Sequence, residues 1–173
     1  KATRELARRV AEEPGVLPSV VAAMAAGGLT GGTSARVLAE IAADNPEVAW
    51  RVAEEPGALR ALVAALGGGH LDSVFVLAQM AQASPELARR VAEQPGALPA
   101  LVAAVAAAGT TAAPIFLGVA THSAAVLASI ASASPELIWR VAEEPGALPA
   151  IVTALAAGPL VAPFAASMLT LVT

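Results

Sequence analysis

WRVAEEPGALRALVAAL, residues 50–66, is one of four near-copies of a single stretch. The others are RRVAEEPGVLPSVVAAM (8–24), RRVAEQPGALPALVAAV (89–105) and WRVAEEPGALPAIVTAL (139–155). Their turn glycines, Gly15, Gly57, Gly96 and Gly146, recur at spacings of about 40 to 50 residues. That is the period of a helical solenoid, in which each unit covers the apolar face of its neighbour.

Each copy divides into three helices. The first opens with NPEVAWRVAEE (45–55), SPELARRVAEQ (84–94) or SPELIWRVAEE (134–144). Asn or Ser stands as N-cap, proline takes the first helical position where no amide bond is lost, and glutamate follows in the positive first turn. Pro-Gly then stops the helix, and glycine supplies the positive φ that the reversal needs. A second helix follows with apolar residues at i, i+3, i+4 and i+7, as in Leu59, Leu62, Val63 and Leu66. The third carries VLAEIA (37–42), VLAQMA (76–81) and VLASIA (126–131).

The whole run NPEVAWRVAEEPGALRALVAAL…VLAQMAQAS resembles an armadillo repeat: a short first helix, a glycine-marked sharp turn, then two longer antiparallel helices. HEAT-type repeats share the architecture, and the turn glycine with the short first helix favours armadillo. The resemblance implies an all-α, right-handed α-solenoid of armadillo-like three-helix repeats, about four units with the last incomplete. A single repeat domain over 1–173 is expected, with units at about 1–43, 44–82, 83–132 and 133–173. The chain starts at Lys1, and the fourth unit runs out inside its third helix at MLTLVT. A longer parent chain is therefore expected, with further repeats or a docked subunit at the C-terminal end.

In that family the third helices line a concave groove, where a ladder of asparagines grips extended peptides. The matching positions here are Glu40, Gln79 and Ser129, with Leu171 in the fourth copy, and none is asparagine. The tryptophan of the same helix corresponds to Arg36, Phe75 and Ala125. The resemblance therefore carries the fold and a protein-binding role, and not the capture of nuclear-localisation-type peptides.

The segment GGLTGGTS (27–34) has the frame of a phosphate-cradling loop, with Thr33 in place of the lysine. Such a loop needs a preceding strand, a lysine for the phosphate charge and a hydroxyl for Mg²⁺. A helix precedes this one, and the sole lysine of the chain is Lys1. It reads as the connection from helix two to helix three, with Thr33/Ser34 and, in the next copy, Asp72/Ser73 as N-caps.

Composition narrows the function classes further. Hydrophobic residues make up 57% of 173, mostly alanine and valine, aromatics only 3%, and 14 glycines and 13 prolines divide the chain into short helices. A net charge of −4 with 10 basic residues leaves no electrostatic footprint for nucleic acid. The absence of cysteine excludes disulfides and thiolate chemistry and leaves the compartment open, with an intracellular one expected. His70 and His122 have no HExxH or cysteine context, so no metal site is expected. No nucleophile–base pair or cofactor motif occurs, and a non-catalytic protein without cofactor is the reading.

Glu5–Arg9, Glu47–Arg51, Glu86–Arg90 and Glu136–Arg140 form a ladder of i,i+4 pairs, each with Glu on the N-terminal side. Recurring in every copy, the ladder reads as a solvated face tying repeats together. Recognition is expected where copies differ. On helix three these positions are Arg36, Glu40, Phe75, Gln79, His122 and Ser129. On helix one, Trp50 and Trp139 share a column with Arg8 and Arg89, which implies partial exposure.

The third unit is longer than the rest through AAAGTTAAPIFLGVATHS (106–123), whose Ile115, Phe116 and Leu117 form its only bulky apolar cluster. Its extra residues are either a loop on the binding face or a turn folded back on its own repeat. From Gln94 to Pro135, and again from Pro145 to Thr173, no charged residue occurs. Prolines and glycines interrupt these runs, so no membrane span is expected, and a covered C-terminal half accounts for them better.

The expected function is a protein–protein interaction scaffold binding a protein segment along the helix-three surface. The alternative is a structural subunit buried in a large multiprotein assembly, membrane-associated or not.

Overall fold

The structure is a computed structural model describing residues 2–43, 45–108 and 114–156. All regular structure among them is helical. The helices are α1 (Ala2–Glu12), α2 (Val16–Ala25), α3 (Gly28–Ala42), α4 (Pro46–Glu54), α5 (Ala58–Gly67), α6 (Leu71–Ala83), α7 (Pro85–Glu93), α8 (Ala97–Ala108), α9 (Pro114–Ala133), α10 (Pro135–Glu143) and α11 (Ala147–Ala156).

The helix starts follow the capping chemistry of the sequence. The Asn45 side chain accepts from the Val48 amide, Ser84 from Leu87 and Ser134 from Glu136, each followed by proline at the helix start. Gly15, Gly57, Gly96 and Gly146 all adopt φ between 81° and 85°, the left-handed conformation in which an L side chain is strained.

Helices α2, α5, α8 and α11 pack side by side in one layer, and α3, α6 and α9 in another. Each short first helix of a later triplet lies against the third helix of the preceding one, α4 on α3, α7 on α6 and α10 on α9. One apolar cluster runs through all of them, with Leu38, Leu62, Leu77, Leu101, Leu127 and Ile130 fully buried. Each such side chain contributes about 1.5–3 kcal/mol when removed from water. The column Leu59, Leu62, Val63 and Leu66 is buried as its helical spacing predicts.

Three local expectations are corrected. First, α3 begins at Gly28 and α6 at Leu71, so Thr33, Ser34, Asp72 and Ser73 lie inside helices and are not N-caps. Ser34 and Ser73 are buried, and the Ser73 hydroxyl donates to the His70 carbonyl.

Second, GGLTGGTS is not a connecting turn but the entry and first turns of α3. Gly27 and Gly28 take positive φ at the reversal, while Gly31 and Gly32 serve close approach. A Cβ on Gly31 would lie 3.1 Å from the Met24 carbonyl oxygen in α2, and one on Gly32 would lie 2.8 Å from Nδ1 of His70.

Third, much of the long third unit is helix. Helix α9 has 20 residues against 15 in α3 and 13 in α6, so extra length goes into added turns starting at Pro114. Residues 109–113, and Leu171 with the rest of the C-terminal segment from 157, lie outside the described residues.

Candidate functional site

Side-by-side packing of α3, α6 and α9 brings most of the variable helix-three residues onto one surface. Glu40, Gln79 and Ser129 occupy the same position in successive third helices, Glu40 exposed and the other two half-buried. Arg36 is exposed, Phe75 is half-buried, and Ala125 in the same column is buried.

Phe75 and His122 meet between α6 and α9. Their ring centroids are 5.3 Å apart at an interplanar angle of 60°, an edge-type contact between α6 and α9. His122 is held from its own helix, where Nδ1 donates to the Gly118 carbonyl at 2.7 Å. Phe75 therefore takes a histidine of the following helix as its ring partner. It also packs partly on the core, so it belongs to both the fold and the surface.

Toward the C-terminal ends of α6 and α9, beside the start of α7, lies a groove of about 410 Å³. Ser129, Ser132, Gln82 and Ser84 supply its polar groups, and alanines including Ala125 and Ala128 form much of the rest of its wall. Ser132 keeps its hydroxyl on the Ala128 carbonyl at 2.8 Å. Its lining is thus small side chains with a few hydroxyls and an amide.

Gln82, Ser84 and Ser132 were not among the sequence candidates. A signal exists for two of them: Ala43, Gln82 and Ser132 occupy one column that changes from copy to copy. Ser84 was legible only as a helix cap.

The other candidates lie elsewhere. Trp50 on α4 is half-buried against the core, and Trp139 on α10 is exposed. In the same column Arg8 is half-buried and Arg89 exposed, as a position accepting both residue types predicts. Ile115, Phe116 and Leu117 ride on the first turn of α9, with side chains outside the described residues.

The charged ladder does not form as spaced. Among the described residues the ion pairs are Arg8–Glu5 at 3.1 Å and Arg8–Glu12 at 3.7 Å. The hydrogen bond that Arg8 donates to Glu5, and then the charge of Glu12, raise the Arg8 pKa above its ordinary value. Arg90 and Arg140 instead reach the preceding triplet, donating to the carbonyls of Ala53 at 3.2 Å and Ala92 at 3.3 Å. Those carbonyls lie in the last turns of α4 and α7, where helix oxygens lack intrahelical donors and carry the negative end of the dipole.

No group of three or more His, Asp or Glu side chains among the described residues could hold a metal ion. No helix among them is long and apolar enough to cross a membrane.

The sequence matches no protein-family model and no curated protein. Among solved structures it is similar to a designed armadillo repeat protein, YIII(Dq)4CqI, with 26% identity and a TM-score of 0.79 over 99% of this chain and 70% of that one. With its stacked helices and glycine-marked turns, the chain has an armadillo-like repeat fold, an all-α solenoid.

Proposed function

We propose that this protein is a non-catalytic scaffold that holds an extended protein segment along the surface of α3, α6 and α9. The observation that carries this reading is the open groove between α6 and α9, walled by alanines and edged by Ser129, Ser132, Gln82 and Ser84. Arg36, Glu40, Gln79 and the Phe75–His122 pair continue the surface on the same helices. The armadillo-like fold supports the reading, since that fold typically serves protein–protein interaction. Without an asparagine ladder, main-chain contacts to the segment fall to Gln79, Gln82 and the serines.

The test is selection of a displayed library of random extended peptides on the folded chain. Enriched peptides are expected to lose at least tenfold in affinity on Gln79→Ala combined with Ser129→Ala, which is about 1.4 kcal/mol. Peptides that bind both proteins equally would place binding elsewhere.

A second reading is a structural subunit of a larger protein assembly. It is favoured by the exposure of Trp139, Leu148 and Val152 on α10 and α11. A salt-resistant, stoichiometric set of co-purifying proteins is its expected signature.

A further inference from the structure

Two columns of the third helices change in the same direction along the solenoid. One reads Arg36, Phe75, Ala125 from α3 to α9, and the other Glu40, Gln79, Ser129. Both begin with an exposed charge and end with a small neutral side chain in the wall of the groove between α6 and α9. The charge of this surface therefore lies at α3, and its groove lies away from it.

The groove itself is neutral. Its described lining consists of alanines, Pro85, Gln82 and three serines, with no ionisable side chain. From Gln94 to Pro135, a stretch that contains all of α9, the chain has no Asp, Glu, Lys or Arg. The charged residue of α6, Asp72, stands in its first turn, roughly 15 Å along the helix from Gln82. Glu86 and Glu136 come next in the chain. They are exposed, lie outside the lining, and occupy the positive first turns of α7 and α10, which offset their charge.

The polar groups of the lining are partly used, and what they leave is complementary. Ser84 accepts from the Leu87 amide and keeps its O–H to donate. Ser132 donates to the Ala128 carbonyl and keeps its oxygen to accept. Gln82 adds an amide and Ser129 a hydroxyl, each able to donate and to accept. A main chain, or a hydroxyl or amide side chain, finds both kinds of partner here. An Asp, Glu, Lys or Arg would give up water against alanine methyls with no opposite charge in the lining, which is unfavourable.

We propose that the segment held by this surface carries charge at one end only. An uncharged stretch of small, hydroxyl and amide side chains fills the groove between α6 and α9. Its charged residues lie over α3, an acidic one at Arg36 and a basic one at Glu40. This rests on the groove reading and names the chemistry of the occupant. Neighbouring helix axes lie roughly 8–10 Å apart and an extended chain advances about 3.3 Å per residue, so the charges stand about four or five residues from the middle of the uncharged stretch.

The test is selection of a fully randomised display library of extended peptides on the folded chain, followed by affinity measurements on the enriched peptides. They are expected to share an uncharged block with charge on one flank. An aspartate placed in the block is expected to weaken binding at least tenfold. A lysine is expected to cost less, because its stem carries the charge back to water. Gln82→Glu, nearly isosteric and at an exposed site, is expected to keep its helical circular dichroism and to shift the selection toward lysine or arginine at one block position. Arg36→Gln is expected to remove the preference for an acidic residue on the flank and to leave the block unchanged.

Peptides that depend on Gln79 and Ser129 yet carry charges throughout the block would overturn the proposal and leave the groove reading standing. Lysine-bearing peptides that weaken on Glu86→Gln would do the same, since the first turn of α7 would then be what they read. A selection on Gln82→Glu identical to that on the parent also counts against a neutral groove; should that variant lose helicity, Ser129→Asp supplies the same readout. Peptides indifferent to Gln79→Ala with Ser129→Ala, or no enrichment at all, would overturn both readings.

Discussion

Arg90 of α7 places Nη2 at 3.2 Å from the carbonyl oxygen of Ala53, 37 residues earlier in the chain and near the end of α4. The same bond recurs one triplet on, from Arg140 to Ala92. Glu86, four residues before Arg90, is the partner suggested by spacing, yet the arginine crosses to the neighbouring triplet. A helix-end carbonyl at a partly buried junction has few other donors, whereas an exposed carboxylate is well served by water.

Arg90→Ala is therefore expected to destabilise the chain by about 1 kcal/mol, the scale of one partly buried charged hydrogen bond. Glu86→Ala is expected to change stability by less than about 0.5 kcal/mol, as for a surface site. Urea denaturation of both variants checks the contrast, which reverses if the ladder is what ties the repeats.

Serines in one column of helix three behave differently. Ser123 is fully buried and its hydroxyl has no hydrogen-bond partner among the described residues, while Ser73 donates to the His70 carbonyl. Ser123→Ala is expected to stabilise by about 1 kcal/mol, because it removes an unpaired buried polar atom. Ser73→Ala is expected to cost about 1 kcal/mol. Thermal melts of the pair should move in opposite directions.

At the start of α3 two adjacent glycines face unlike neighbours. Gly31→Ala would press a methyl to 3.1 Å from the Met24 carbonyl oxygen, a backbone atom that yields only if α2 shifts. A net loss of about 1 kcal/mol is expected, overpacking outweighing the gain in helix propensity. Gly32→Ala meets the His70 ring, a side chain able to rotate away. That variant is expected to hold its stability and to change the NMR environment of His70.

Phe75 should be visible through its neighbour. With ring centroids 5.3 Å apart, His122 ring protons are expected to carry an aromatic shift from Phe75. Phe75→Leu is expected to abolish that shift while keeping the helical fold, since volume is roughly conserved. Unchanged His122 resonances would mean that the two rings do not meet in solution.

Loss of the Ser84 cap tests the local grammar of the repeat. Its hydroxyl accepts from the Leu87 amide at 3.1 Å. Ser84→Ala is expected to cost about 1 kcal/mol and Ser84→Asp to retain most of the stability. Because Ser84 also edges the groove, peptide affinity measured on Ser84→Asp separates its capping role from recognition.

The caps of the short first helices, the Pro-Gly turns and the buried stripe were legible because their partners lie within four residues in the chain. Asn45 with Val48, Ser84 with Leu87 and the positive φ at Gly96 involve no distant neighbour. The period of the copies then required stacking, since an amphipathic unit of three short helices leaves an apolar face to be covered. By itself the sequence determined an all-α, armadillo-like solenoid and the columns that vary.

Tertiary structure decided everything that depends on which side chains meet across triplets. The i,i+4 spacing of Glu and Arg permits a pair within one helix, but it is silent on the carbonyl 37 residues away through which Arg90 reaches the preceding triplet. GGLTGGTS read as the connection from helix two to helix three, which Gly27 serves with its positive φ, whereas Gly31 and Gly32 lie within α3 and admit α2 and His70 to close range. Ser123 and Ser73 share a column and differ in satisfaction, and Val152 and Val102 share one and differ in burial. Residue type sets what a position is able to do; the neighbour supplied by stacking sets what it does, because hydrogen bonding and burial are properties of pairs.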